Sequence, residues 1–225
     1  MRDTSRHLDD AILLLSAPAL IPLWKYYAKA SGLPAFGGPL DPFWRGLLEF
    51  ALFFALFGLL PGLDQRLRRQ GPLVDAGLGL GDRRFGIQAL AGGLPLVLMV
   101  AWLGAQMPEV RGEYPMCRLL LDRRDLFLPY VVSYALLYYL AWEFYFRGYL
   151  LFALASRFGP VSAVLLQTVP SALAHLGKPS GEMFGSIPFG VAVGFLALRT
   201  RSIWYGWLLH AALGVSTDWF VIAHG

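Results

Sequence analysis

The sequence predicts an all-α membrane protein, a polytopic transmembrane bundle of roughly six to eight helices. The first observation is composition, because 56% of the 225 residues are hydrophobic and only 15% are charged. Soluble domains contain about 25% charged residues. The second observation is a succession of apolar segments close to the length of about 20 residues that crosses a bilayer. Since a backbone in lipid must satisfy its own hydrogen bonds, each segment is expected to be helical.

Seven apolar runs are the candidate helices. They cover residues 11–24, 46–63, 85–105, 126–150, 158–176, 183–198 and 203–222. The first run is short and contains Pro18 and Pro22, so it can either lie in the membrane interface or cross the bilayer. We expect one integrated membrane domain, with N-terminal helices and interfacial loops over residues 1–125 and a core over residues 126–222.

Basic residues lie mostly between the apolar runs, and 16 are Arg against 3 Lys. No basic run carries interleaved aromatic residues, so we expect lipid headgroups as their partners and no nucleic acid. Loops 64–84, 106–125 and 199–201 carry five, four and two Arg. If every run crosses the bilayer, the first and third of these loops share one side. The positive-inside rule predicts that this side is cytoplasmic.

Two features of the composition limit the kinds of site the chain can hold and indicate where it is located. The only cysteine, Cys117, excludes an internal disulfide and a multi-cysteine metal site. The excess of Arg over Lys, the absence of Asn and the abundance of Ala, Gly and Leu are typical of a GC-rich bacterial genome. The expected location is therefore the bacterial inner (plasma) membrane, with several passes.

The main functional signal is a set of ionisable residues inside the last apolar runs: Glu143, Arg147, His175, His210 and Asp218. Charge at the centre of a bilayer costs several kcal/mol on insertion scales, so such residues mark a functional site by default. Glu143 and Arg147 are four residues apart, about 40° around a helix, and are expected to pair. The pair is either structural or holds a carboxylate in position to act on water.

The two histidines differ in setting. His175 ends a run at HLGKP, where an interface residue is the common interpretation, and Glu182 then opens the next segment as an acid favoured by the helix dipole. His210 lies well inside its run. Gly214 lies about 40° from it around the helix, leaving room for a substrate backbone or a partner side chain. Asp218 is about 80° and two turns away, which makes a direct bond to His210 doubtful.

Two chemistries fit an acid and two histidines on separate spans. In the first, a carboxylate deprotonates water and a histidine stabilises the oxyanion, and no cofactor is required. In the second, Glu143, His175 and His210 bind a divalent metal such as zinc, which activates the water. The HExxH motif of many zinc proteases is absent.

Three phrases together carry a family resemblance: WEFYFRGYLLF, HLGKP, and LALRTRSIW leading into LLH. Over roughly residues 126–222 the chain resembles the CAAX-protease and bacteriocin-processing (CPBP) family, the Rce1-like or Abi intramembrane proteases, in a branch with WEFxFRG. The resemblance implies a helical bundle whose cavity cleaves a peptide bond near the membrane surface. It also implies a glutamate that activates water, assisted by histidines and an asparagine. Glu143 and Arg147 match the glutamate–arginine motif, and His175 and His210 match the histidines of the second and third motifs.

Three positions depart from the family pattern. Trp142 stands where the family usually has the first, catalytic glutamate of EExxxR. Ser171 stands where Phe commonly precedes the second-motif histidine, and Gly214 replaces an Asn four residues after the third-motif histidine. Either Glu143 takes over water activation, with Glu182 or Asp218 supplying the missing polar contacts, or the chain has kept the fold and lost hydrolysis.

Three functions follow from this set of residues. The favoured one is an intramembrane endopeptidase, of glutamic or metallo type, that cleaves a membrane-associated or lipid-anchored protein. The second is an inactive family member acting as a peptide-binding scaffold or immunity-type protein. The third, a small transporter with an acid–histidine proton relay, is disfavoured because no inverted repeat or paired broken helices are evident.

Overall fold

The computed structural model describes residues 2–224, with side chains described from residue 9 onward, and this part of the chain is helical without strands. Six helices are long and apolar enough to cross a membrane, which confirms the predicted all-α membrane bundle. In chain order the helices are α1 (Asp9–Ala28), α2 (Asp41–Arg68), α3 (Arg83–Gly104), α4 (Pro108–Glu113), α5 (Arg124–Phe158), α6 (Pro160–Leu173), α7 (Ser180–Thr200) and α8 (Trp204–His224). The helix that contains α1 begins at Arg2.

The helix ends follow local chemistry. Asp82 caps the start of α3 by accepting a hydrogen bond from the Phe85 backbone N–H at 3.0 Å. This bond, together with an ion pair to Arg199, lowers the pKa of Asp82. Gly159, at a φ of 78°, separates α5 from α6, a conformation that glycine adopts without strain. The proline that follows it begins α6, as prolines commonly begin helices.

The structure decides the form of two of the apolar runs. The first run, which contains Pro18 and Pro22, forms a helix long enough to span, although its sequence also fitted an interfacial position. The run over 158–176 forms only the short helix α6. Residues 174–179 between α6 and α7 form turns without a regular helix.

Helices α1, α2 and α5 contain π-helical turns, which the sequence analysis did not predict. One of them, Phe144–Leu150, begins directly after Glu143 and includes Arg147. A π-helical turn widens the helix and is frequent at functional sites. Every residue from Phe144 to Leu150 is buried, as are the three residues before them.

Helix α5 is held in the centre of the bundle by aromatic packing. Trp24 of α1 contacts Phe53 of α2 edge-on, with ring centroids 5.0 Å apart, and Phe53 packs against Tyr138 of α5 at 4.3 Å. Aromatic pairs of this kind contribute about 0.5–1.5 kcal/mol beyond the area they bury. On the other side, Gly86 and Gly93 of α3 let α8 approach closely, because a Cβ at either position would overlap a side chain of α8.

The loops gather at two opposite ends of the bundle. At one end, Arg199 pairs with Asp82 at 2.8 Å, so loop 64–84 meets the turn at 199–201. At the other end, Lys178 pairs with Glu113 at 2.6 Å, so the loop before α7 meets loop 106–125. The assignment of the first end to the cytoplasm stays a prediction.

Candidate active site

Glu143, Arg147 and His210 form a buried chain of polar contacts between α5 and α8. Glu143 Oε1 accepts a hydrogen bond from His210 Nδ1 at 2.7 Å, and Arg147 Nη1 lies 3.4 Å from the same oxygen. Glu143 is 0% exposed and Arg147 is 1% exposed. The pairing expected from their spacing is therefore present, and the histidine from α8 joins it. Two opposite charges buried together avoid the large penalty of a single buried charge.

Two glycines make room for this chain. A Cβ at Gly206 of α8 would lie 3.2 Å from Glu143 Oε2, and a Cβ at Gly190 of α7 would lie 3.4 Å from Arg147 Nη2. Glu143 Oε2 has no hydrogen-bond partner among the described residues. The carboxylate is thus enclosed on one side by helix backbone, and its contact with the rest of the site runs through His210.

His210 is fixed in orientation by both its hydrogen bond and its packing. Its ring packs against Tyr139, Phe189 and Trp142, with centroid distances of 4.6, 5.2 and 5.9 Å. Because the carboxylate of Glu143 accepts a hydrogen bond from Nδ1–H, a neutral His210 keeps its proton on Nδ1 and has a free lone pair on Nε2. This nitrogen is able to accept a proton from a molecule in the adjoining cavity.

His175 is held in the same manner on the other side of Trp142. Its Nδ1 donates to the Ser171 carbonyl oxygen at 2.8 Å, and its ring meets the indole of Trp142 edge-on at 5.0 Å. The carbonyl can only accept, so Nδ1 carries the proton here as well. The two histidines therefore flank the tryptophan that occupies the place of the family's first glutamate.

A small cavity of about 30 Å³ joins the two histidines, and it has the volume of roughly one water molecule. It is lined mainly by aromatic side chains together with a few polar ones: Trp24, Tyr114, Tyr134, Tyr138, Tyr139, Trp142, Ala174, His175, Lys178, Glu182 and His210. Glu143 does not line it. Of the three residues predicted to form one site, His175 and His210 face the cavity, and Glu143 reaches it through His210.

Glu182 enters the site from the first turn of α7. Both oxygens of its carboxyl group accept from the Tyr114 hydroxyl at 2.8 Å. Lys178 Nζ in turn donates to Tyr114 Oη at 3.4 Å and lies 4.7 Å from the centre of the Tyr114 ring. The sequence marked Glu182 as a helix-start acid and supporting residue. Its position in the cavity and its tyrosine partner depend on a loop distant in sequence.

Asp218, the third predicted supporting residue, lies apart from the histidines. It is 0% exposed, and neither of its oxygens forms a well-aligned hydrogen bond among the described residues, although the neutral hydroxyl of Tyr130 lies beside it. It makes no hydrogen bond to His210, in agreement with the angle between them on the helix. Asp218 does not line the cavity either, so the structure does not bring it into the arrangement around His210.

The space opened by Gly214 is filled by a residue that sequence reasoning missed. A Cβ at Gly214 would overlap the hydroxyl of Tyr139, which donates a hydrogen bond to Tyr134 Oη at 2.9 Å. Of the two uses foreseen for this glycine, a partner side chain is the one observed. Tyr139 lies four residues before Glu143 on α5. This spacing was the signal in the sequence that Tyr139 shares a helix face with Glu143 and lies near the site. A phenol thus stands where the family commonly places an asparagine side chain.

Gly148 of α5 also makes room for a neighbour, in this case a loop. A Cβ there would overlap the carbonyl oxygen of Ala76, in the short turn Leu73–Ala76 of loop 64–84. A loop backbone therefore packs against α5 at this point.

No three His, Cys, Asp or Glu side chains within the described residues are grouped as a metal site would require. The zinc alternative for Glu143, His175 and His210 stays a prediction.

The comparisons with known proteins concern the same part of the chain. Residues 124–216 match the family model for the type II CAAX prenyl endopeptidase Rce1-like proteins. This confirms, over this stretch, the resemblance found from the three motifs. No curated protein and no solved structure matches the chain. The family suggests a CAAX-type intramembrane protease with a membrane-protein or peptide substrate.

Proposed function

We propose that this protein is an intramembrane endopeptidase in which Glu143, acting through His210, activates a water; residues 124–216 match the Rce1-like family model. Its substrate is a membrane-associated or lipid-anchored protein, cut at a peptide bond near the membrane surface. The observation that carries the proposal is the 2.7 Å bond between Glu143 Oε1 and His210 Nδ1 beside a cavity of about one water volume.

In this mechanism Glu143 acts through His210. Arg147 holds the Glu143 carboxylate in its ionised form, and the carboxylate orients the imidazole so that Nε2 faces the cavity. A water there transfers a proton to Nε2 while its oxygen attacks the carbonyl carbon of the peptide bond. The imidazolium that forms is stabilised by the carboxylate behind it, as in other enzymes that pair an acid with a histidine.

The position of the cavity supports cleavage near the membrane surface. Its lining includes Tyr114 and Lys178 from two loops and Glu182 from the first turn of α7. These residues lie at one end of the bundle, and the charged side chains at this end would meet the headgroup region. A substrate anchored in the bilayer could present an extended segment there. On this proposal the membrane is the bacterial inner membrane.

The decisive experiment measures cleavage of a fluorogenic, membrane-anchored peptide by the purified protein in lipid vesicles. Glu143→Gln keeps the shape of the side chain but removes its charge and leaves the buried Arg147 without its anion, so activity is compared per mole of folded protein. We expect a loss of about 10²–10⁴-fold in kcat with little change in KM. His210→Ala should lose activity to a similar extent. The double variant should fall little further, because residues that act as a unit are not additive.

The same assay separates the alternatives. Glu109→Gln, at an exposed carboxylate on α4, is the matched control and should cleave at the wild-type rate. Activity that is lost with a chelator and restored by zinc would favour the metal mechanism. Unchanged processing of the substrate by Glu143→Gln would end the case for catalysis through this residue.

A second candidate function is a peptide-binding scaffold or immunity-type protein without hydrolysis. Its support is Trp142, whose ring lines the cavity at the position where the family carries an acid. Under this alternative, a peptide that binds the wild-type protein is recovered uncut. Glu143→Gln would bind that peptide and function in the cell as the wild type does.

A further inference from the structure

We infer that Glu182 is a second catalytic carboxyl group of this site, the general acid that protonates the leaving amine. This inference rests on the proposed endopeptidase function. It assigns to Glu182 a step of the reaction that the pair of Glu143 and His210 leaves open. Cleavage of an amide needs a proton on the departing nitrogen, since an amide anion is too poor a leaving group.

Placement is the first argument. The cavity is lined by one carboxyl group, that of Glu182, together with the rings of His175 and His210. Since the cavity has a volume of about 30 Å³, a group that reacts there lies near all three side chains. Glu143 is enclosed behind His210 and cannot reach a second reacting atom without displacing it.

The anchoring of Glu182 is the second argument. An acid in the first turn of a helix commonly points to solvent and interacts only with the helix dipole. Glu182 instead turns inward, and Tyr114 Oη bonds both of its oxygens at 2.8 Å. Tyr114 is itself held by Lys178, whose Nζ also pairs with Glu113 Oε1 at 2.6 Å. Lys178 therefore holds Tyr114, and Tyr114 holds Glu182. Proton transfer requires a carboxyl group with such a fixed orientation.

The contrast between the two glutamates is the third argument. Glu143 is paired with a guanidinium and an imidazole, which keep it as a carboxylate. Glu182 is bonded to a neutral phenol, and no cation lies within 4.0 Å of its oxygens in the part of the chain that the structure describes. When one enzyme site holds two carboxyl groups in such different surroundings, they take opposite roles in proton transfer.

The proposed step balances in protons and bonds. Water forms a C–O bond to the carbonyl carbon and gives one proton to His210 Nε2. The tetrahedral intermediate then breaks its C–N bond while the Glu182 carboxyl donates its proton to the departing nitrogen, which leaves as a neutral amine. Glu182 is left as a carboxylate bonded to Tyr114, and it regains a proton from the imidazolium or from water before the next cycle.

The test compares two substrates that differ only at the scissile bond, one a peptide amide and the other the corresponding ester. An alkoxide leaves far more readily than an amide anion, so the ester needs little help from an acid. For Glu182→Gln we expect kcat for the amide to fall by about 10²–10⁴-fold. For the ester we expect a fall of less than about tenfold. Glu143→Gln should slow both substrates alike, because it affects water activation.

Further variants keep the test decisive. Glu182→Asp retains a carboxyl group and should recover part of the amide activity that Glu182→Gln lacks. Tyr114→Phe leaves Glu182 in place without its anchor and should show a smaller loss with the same preference for the ester. Glu109→Gln serves again as the control on the same end of the bundle.

The outcomes distinguish this inference from the proposed function. Equal losses on amide and ester, or no loss on either, would overturn the role of Glu182 while leaving the endopeptidase in place. Failure of the wild-type protein to cleave any membrane-anchored substrate would instead count against the proposed function. If Glu182→Gln does not accumulate, Tyr114→Phe and Glu182→Asp carry the comparison alone.

Discussion

Glu143 and Asp218 are both fully buried carboxyl groups, yet their surroundings are opposite. Glu143 has a guanidinium at 3.4 Å and an imidazole at 2.7 Å. Asp218, on α8, forms no well-aligned hydrogen bond among the described residues. A buried carboxylate is costly unless it is paired, so the first region holds charge and the second is expected to hold a neutral acid. Burial of an acid therefore does not by itself identify a catalytic group; the partners do.

The largest expected effect on stability is that of Arg147→Ala. Removing Arg147 leaves Glu143 as a buried carboxylate without its cation, which typically costs about 3–5 kcal/mol. We expect poor accumulation in the membrane and a lower free energy of unfolding in lipid or detergent. Arg157→Ala, which removes a partly exposed partner of Asp10, should cost no more than about 1 kcal/mol.

A double variant sharpens the interpretation of Arg147. If the stranded charge causes the loss, adding Glu143→Gln to Arg147→Ala should restore most of the stability, because no charge is then left unpaired. If the double variant is as unstable as Arg147→Ala, the loss comes from packing around the guanidinium. A stable, well-folded Arg147→Ala protein would show that Glu143 and Arg147 are not buried as a pair.

Gly214 lies between the two regions, four residues from His210 and four from Asp218, and tests how closely they are coupled. In Gly214→Ala the new methyl group overlaps the Tyr139 hydroxyl, so the ring that packs on His210 must shift. Overpacking of this kind costs about 1–3 kcal/mol, and we expect reduced cleavage as well.

The matched control for Gly214 is Gly92→Ala on α3. A Cβ at Gly92 meets nothing within 4 Å, and alanine is the better helix former by about 1 kcal/mol. This variant should be as stable as the wild type or more so. Equal stability and activity for Gly214→Ala would mean that the Tyr139 ring is not needed where it lies.

Part of this architecture could be predicted from the sequence. Composition and apolar runs gave the helical membrane fold, because in lipid the chain has few alternatives. The spacing of Glu143 and Arg147 gave their pairing, since this contact is local to one helix. The distance of His210 from any loop marked it as a functional candidate.

Other features could not be predicted from the sequence, because they depend on contacts between distant segments. The bond between Tyr114 and Glu182 joins residues 68 positions apart, and no local periodicity reports it. The π-helical turn at Phe144–Leu150 depends on packing around α5. The use of the Gly214 space by Tyr139 joins α8 to α5, and the sequence alone left substrate and side chain as equal alternatives for it.

The smallest expected effect is that of Asp218→Asn, and it tests the second half of the comparison. A neutral carboxylic acid and an amide have nearly the same shape, so replacing one with the other should change the free energy of unfolding by less than about 1 kcal/mol. Cleavage should be unchanged as well, because Asp218 makes no hydrogen bond to His210 and does not line the cavity. Both quantities are measured in the same vesicles as for Arg147→Ala.

A large loss of activity with unchanged stability would show that Asp218 takes part in the reaction. A large loss of stability would show that it carries charge with a partner that forms only in the bilayer. If Asp218→Asn matches the wild type in both stability and activity, Glu143 is the buried acid that supports catalysis. Its pairing with Arg147 and His210 is then what distinguishes it from Asp218.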